Sequence, residues 1–180
     1  MQKMVPVRSV VLGARALVAA LGGLYITFAQ GKGWHQTLLI LALYCIGQLV
    51  VLALAFALER DRGEFLAALP GAALALAVAI LASMDNSNEP PVYNKVHWLL
   101  IIWGLLSGAF ELWQARRSGA SFKQGSETYI GAVLALLLAA ALLLVPEIDI
   151  IATEGMLGAY LIINAVNYGI AATSPKSPRG

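Results

Sequence analysis

The sequence predicts an all-α integral membrane protein of six transmembrane helices, and three observations carry that expectation. Six apolar stretches occupy residues 10–29, 37–58, 65–84, 98–115, 129–145 and 155–173, each close to the ~20 residues a helix needs to cross hydrocarbon. Only 12% of residues are charged while 59% are hydrophobic, a balance that suits a bundle solvated by lipid and not a soluble domain. Positive charges sort by side: with a cytoplasmic N-terminus, Lys3, Arg8, Arg60, Arg62, Arg116, Arg117, Lys123, Lys176 and Arg179 fall inside, and only Lys32 and Lys95 fall outside. The positive-inside rule then places both termini in the cytoplasm.

The first stretch follows Lys3 and Arg8, and Thr27-Phe28-Ala29 is a poor cleavage site, so it reads as an uncleaved first span. Cys45 is the single cysteine; it excludes an intrachain disulfide and a cysteine-based metal site, and reads as apolar filler within the second span. In the third span Pro70 precedes Gly71 and Ala75. Between spans three and four, residues 85–95 read as the longest outer loop, with Pro90-Pro91 set against helical continuation. Asp85, Glu89, Glu147, Asp149 and Glu154 read as outer acids. The inner connection 116–127 is rich in Ser and Gly, and residues 174–180 read as a short disordered cytoplasmic tail. All connections are short, so the chain is a single transmembrane domain. The inner cations are scattered beside Glu59, Asp61 and Glu64, which fits topology and anionic headgroups and excludes a nucleic-acid surface.

Taken two at a time, the helices repeat. Superimposing Tyr44, Trp103 and Tyr160 places Gln48, Ser107 and Asn164 four residues later in each even-numbered span. Phe65 and Tyr129 align in the same way, setting Ala67, Gly71 and Ala75 opposite Gly131, Ala135 and Ala139. Spacing by four puts small residues on one helix stripe and permits close backbone approach, as does Gly104-Leu-Leu-Ser-Gly108. Gly71, Ala75, Gly104, Gly108, Gly131 and Ala135 are therefore the candidate packing residues. Three helical hairpins give parallel repeats; inverted three-plus-three repeats are the competing partition.

These features resemble the HdeD-type acid-resistance membrane proteins: three two-helix repeats, Arg15 with Gly22-Gly23 in the first span, a short turn near Pro146, and the run Trp103-Gly-Leu-Leu-Ser-Gly-Ala-Phe-Glu111. The segment from Glu154 to Asn164 is also similar to small multispan actinobacterial proteins of unassigned function. The resemblance implies a bacterial inner-membrane protein without catalytic residues, associated with survival at low pH. The chain departs from the pattern in lacking a Pro at the end of the odd span in the first two repeats.

Ionisable side chains within a span cost about 2.5–3.5 kcal/mol at its centre and point to function. Arg15 and Glu111 both fall roughly 6–8 Å into the membrane from the cytoplasmic side, at 1.5 Å per residue. Their matching depth predicts an ion pair between the first and fourth spans, against the alternative that each snorkels separately to the interface. Gln48, Ser107, Asn164 and Asn167 form a polar mid-membrane layer, suited to interhelical hydrogen bonds or to a small polar path. His35 and His97 stand beside Trp34 and Trp98, where interfacial anchoring competes with pH sensing. No nucleophile motif, phosphate loop or metal-ligand spacing occurs, so no enzyme activity, metal or cofactor is expected. The favoured expectation is a non-enzymatic accessory subunit or stress protein that associates, beyond the lipid bilayer, with a membrane-protein partner or with further copies of itself. A small-solute transporter or channel is the alternative: a water-filled cavity reaching the mid-membrane layer would favour it, whereas a dry layer with one outward-facing small-residue stripe would favour association.

Overall fold

A computed structural model of the chain describes residues 7–28, 34–59, 73, 77, 90–117, 126–144 and 150–174. Five helices result: α1 Val7–Phe28, α2 Trp34–Glu59, α3 Pro90–Arg117, α4 Ser126–Leu144 and α5 Ile150–Thr173. All five are long and apolar enough to cross a membrane, and the described residues contain no strand. The chain is a helical multi-pass membrane protein. The predicted third span, with Gly71 and Ala75, lies outside the described residues apart from Ala73 and Ala77, both helical.

Two expectations are corrected. Residues 90–95 are not loop: α3 begins at Pro90 and runs for 28 residues. Proline is a poor helix interior residue but a good first one, because its missing N–H is unpaired in a first turn anyway. At 1.5 Å per residue α3 is roughly 42 Å long, more than the hydrocarbon thickness. Glu154 is not an exposed outer acid. Because α5 starts at Ile150, Glu154 falls in its second turn on the inward face, only 2% exposed beside buried Thr153. His97 is likewise buried in α3, while Trp98 stays on the surface.

Close approaches give the direction of each helix. Arg15, Gly23 and Thr27 of α1 meet Tyr168, Ile162 and Gly158 of α5 in descending order, so the two are antiparallel. Val18 and Gly22 of α1 meet Gly47 and Tyr44 of α2 in the same sense. Gly104 and Gly108 of α3 meet Ala139 and Leu136 of α4, and Glu127 and Gly131 of α4 meet Asn167 and Asn164 of α5, again in descending order. Helices α2, α3 and α5 therefore run parallel to one another. Neighbours in space follow the order α2, α1, α5, α4, α3.

Association of such helices draws on dispersion and close packing, because lipid tails are as apolar as leucine. The core is built from Leu38, Leu41, Leu100, Leu142, Leu157 and Leu161, all fully buried. Outward faces carry Leu17, Phe28, Leu43, Leu106, Leu137 and Val166, large side chains suited to lipid contact. A tight seam lies between α3 and α4. A Cβ at Gly104 would stand 2.9 Å from the Ala135 carbonyl oxygen and 3.0 Å from the Ala139 Cβ. One at Gly108 would stand 2.9 Å from the Ala132 carbonyl oxygen. Backbone atoms cannot rotate aside as a side chain can.

Gly104→Ala is expected to destabilise the protein in detergent by about 1–3 kcal/mol, the usual cost of overpacking. Gly13→Ala, at a position with nothing within 4 Å, is expected to be neutral or to gain up to about 1 kcal/mol from helix propensity. Thermal melts of the two variants check this, and equal melting temperatures would contradict the seam.

Candidate functional site

Helix spacing dictates the interior. Residues four apart share one face of a helix, and each of the three parallel helices turns such a stripe inwards: Tyr44, Gln48 and Leu52 on α2; Trp103, Ser107 and Glu111 on α3; Tyr160, Asn164 and Tyr168 on α5. Eight of these nine residues line one cavity together with Arg15 of α1, and the ninth, Asn164, is 1% exposed. The cavity measures about 50 Å³. A water needs roughly 10–15 Å³ on this scale, so the space holds a few waters or one small solute.

Arg15 is anchored at its edge. Its Nε donates to Gln48 Oε1 at 3.0 Å and its Nη2 donates to the Tyr168 hydroxyl at 2.8 Å. Gln48 Nε2 in turn donates to the Arg15 carbonyl oxygen at 3.1 Å, closing a reciprocal pair between α1 and α2. The guanidinium carbon also lies 4.3 Å from the Tyr168 ring centroid, within cation–π range. Three helices thus hold one cation in place, and that fixed charge faces the cavity.

Glu111 enters from α3. Its Oε2 is buried and accepts no hydrogen bond. It occupies a notch that Gly131 leaves open, since a Cβ there would stand 2.7 Å from Oε2. Asn164 Oδ1 would lie 3.7 Å from the same point, and neither amide atom of Asn164 has a hydrogen-bond partner. Trp103 packs edge-on to Tyr160 at 5.5 Å between ring centroids, and its indole N–H is buried without an acceptor. Such atoms are costly in a bilayer unless something meets them. Four such atoms on three side chains surround one interior.

The residues singled out from sequence divide as follows. Arg15, Glu111, Gln48 and Ser107 come together on the cavity. Asn164 sits beside it at Gly131. Asn167 turns elsewhere, its Nδ2 donating to the Glu127 carbonyl oxygen at 2.9 Å, and no hydrogen bond joins any two of the four mid-membrane polar residues. Gly104, Gly108 and Ala135 form the α3–α4 seam, whereas Gly131 serves Glu111. Tyr168 was missed. Its signal was present, as it continues the Tyr160 and Asn164 stripe by one more step of four. Among the described residues no cluster of His, Cys, Asp and Glu could hold a metal. Comparison with protein-family models, curated proteins and solved structures finds no match.

Tyr168→Phe removes the acceptor for Arg15 Nη2 while keeping the ring. A hydrogen bond to a charged group contributes about 1.5–3 kcal/mol, so this variant is expected to melt well below the parent. Tyr25→Phe, at a residue 44% exposed, is expected to melt with it. Indistinguishable melts of the two variants would contradict the anchoring of Arg15.

Proposed function

We propose that this protein is a small-solute transporter or channel, a six-span protein of three helical hairpins with both termini in the cytoplasm, whose solute occupies the cavity among α1, α2, α3 and α5. One observation carries the reading: a small space reaches the mid-membrane layer, and among apolar side chains its wall carries a cation, a carboxyl group, an amide, a serine and three tyrosines. A bundle whose only task is packing gains nothing from such a lining, because each of these groups is expensive to bury. The matching stripes on α2, α3 and α5 support the hairpin repeat, and the asymmetric distribution of Lys and Arg supports the orientation.

The association reading has less behind it. Gly104, Gly108 and Ala135 are consumed in the α3–α4 seam, and the outward faces of the described helices carry large aliphatic and aromatic side chains. The HdeD-type resemblance rests on sequence motifs and contributes nothing to the solute reading.

The chain supplies its own reporter. Cys45 is its single cysteine, it lines the cavity, and it is 2% exposed. Silver ion is about as small as water and binds thiols. In mild detergent, silver nitrate is expected to protect Cys45 from later alkylation by N-ethylmaleimide under denaturing conditions, read by intact mass, while N-ethylmaleimide alone is too bulky to label the folded protein. A Cys45 that silver cannot reach in the folded protein would overturn the proposal.

A further inference from the structure

We infer that the cavity binds a small monovalent anion beside Arg15 and that each anion entering brings one proton onto Glu111. The inference rests on the solute reading above and names its substrate class.

The donor inventory selects the sign of the ligand. Arg and Trp side chains donate hydrogen bonds and accept none, and the buried indole N–H of Trp103 has no acceptor. Serine and tyrosine hydroxyls on the wall rotate to donate as readily as they accept. Among the described residues Glu111 is the one carboxylate on the lining. An acceptor-rich, compact solute satisfies this wall, and about 50 Å³ limits it to the size of a halide, nitrate or formate ion.

Charge balance then couples the anion to a proton. With the cavity empty, Arg15 and an ionised Glu111 balance each other among the described lining residues. An anion arriving beside both would leave one uncompensated negative charge in a low-dielectric space, which costs several kcal/mol. Uptake of a proton from solution by the Glu111 carboxylate restores neutrality: one O–H bond forms on Glu111, none breaks elsewhere in the protein, and the guanidinium, held by Gln48 and Tyr168, offers its charge to the anion. The Gly131 notch and the Asn164 amide give the protonated carboxyl somewhere to go. Asn164 Oδ1 can accept the new O–H, which relieves two of the unsatisfied atoms at once.

The other titratable groups on the lining do not compete. Tyr44 and Cys45 on α2, and Tyr160 and Tyr168 on α5, are phenols and a thiol, whose ordinary titration lies above neutral pH. On α4, Gly131 faces Glu111, and Glu127 stands one turn away with its carbonyl oxygen accepting from Asn167. The sign follows directly: a proton is bound with the anion, so affinity rises as pH falls.

The experiment is nitrate titration of the purified full chain by calorimetry between about pH 5 and about pH 7.5, repeated in buffers of different ionisation enthalpy. The parent is expected to bind nitrate with proton uptake approaching one per anion, and to tighten by up to about tenfold per pH unit on acidification. Glu111→Gln is expected to bind nitrate without proton uptake, with no pH dependence, and more tightly than the parent at the upper end of the range. That gain separates the outcome from damage to the fold. Trp103→Phe is expected to weaken nitrate binding about tenfold while leaving the proton count unchanged. Nitrate binding with a flat pH profile in the parent, or loss of binding in Glu111→Gln, would overturn the coupling. If silver reaches Cys45 but neither nitrate nor chloride binds, the anion inference fails and the solute cavity stands. If silver does not reach Cys45, both fail.

Discussion

A guanidinium inside a span of α1 is the constraint on which the rest of the interior depends. An arginine in hydrocarbon must reach an interface or be surrounded by acceptors, and here α2 and α5 supply them through Gln48 and the Tyr168 hydroxyl. Gln48 answers by donating to the Arg15 carbonyl oxygen. The neighbours of α1 are therefore fixed by hydrogen bonds with direction as well as by packing. Gly23 and Gly158 then let α1 and α5 approach closely along the rest of their length.

Around that anchor the three parallel helices make an interior of uneven character. Their upper steps are aromatic, with Trp103 set edge-on to Tyr160 and Tyr44 on the same wall. The middle and lower steps are polar and charged. Aromatic rings cap the space with rigid, dispersion-rich surface, while the groups below them face one another across a gap wide enough for a few waters. The α3–α4 seam contributes by rigidity: with Gly104 and Gly108 locked against backbone, Glu111 sits one step further along a helix that cannot shift without breaking that contact.

Much of this was legible in the chain. Apolar length and the charge asymmetry predicted the membrane-spanning helices. The alignment of Tyr44, Trp103 and Tyr160 with Gln48, Ser107 and Asn164 names six of the nine inward positions from sequence alone. Arg15 and Glu111 stood out because charge in a span has few explanations, and both line the cavity. What stayed hidden has physical reasons. The outward faces of these helices are as apolar as much of the interior, so amphipathicity says little about which face turns inwards, and nothing in the residues around Tyr168 separated it from the other aromatics. Pro90 and Glu154 looked like loop residues because their chemistry fits a first turn or an outer surface as well as a helix. Gly131 resembled the other small residues on its stripe, and only the approach of Glu111 Oε2 separates its role from theirs.

The central claim is that Arg15 and Glu111 balance each other's charge within one interior, and a double-mutant cycle on thermal stability in detergent tests it most directly. Arg15→Leu should lower the melting temperature sharply, because it leaves a buried carboxylate without its cation. Adding Glu111→Leu should recover most of the loss, giving a coupling energy on the order of 1–3 kcal/mol. A double variant that melts at or below the Arg15→Leu single variant, with the two losses simply adding, would contradict the account.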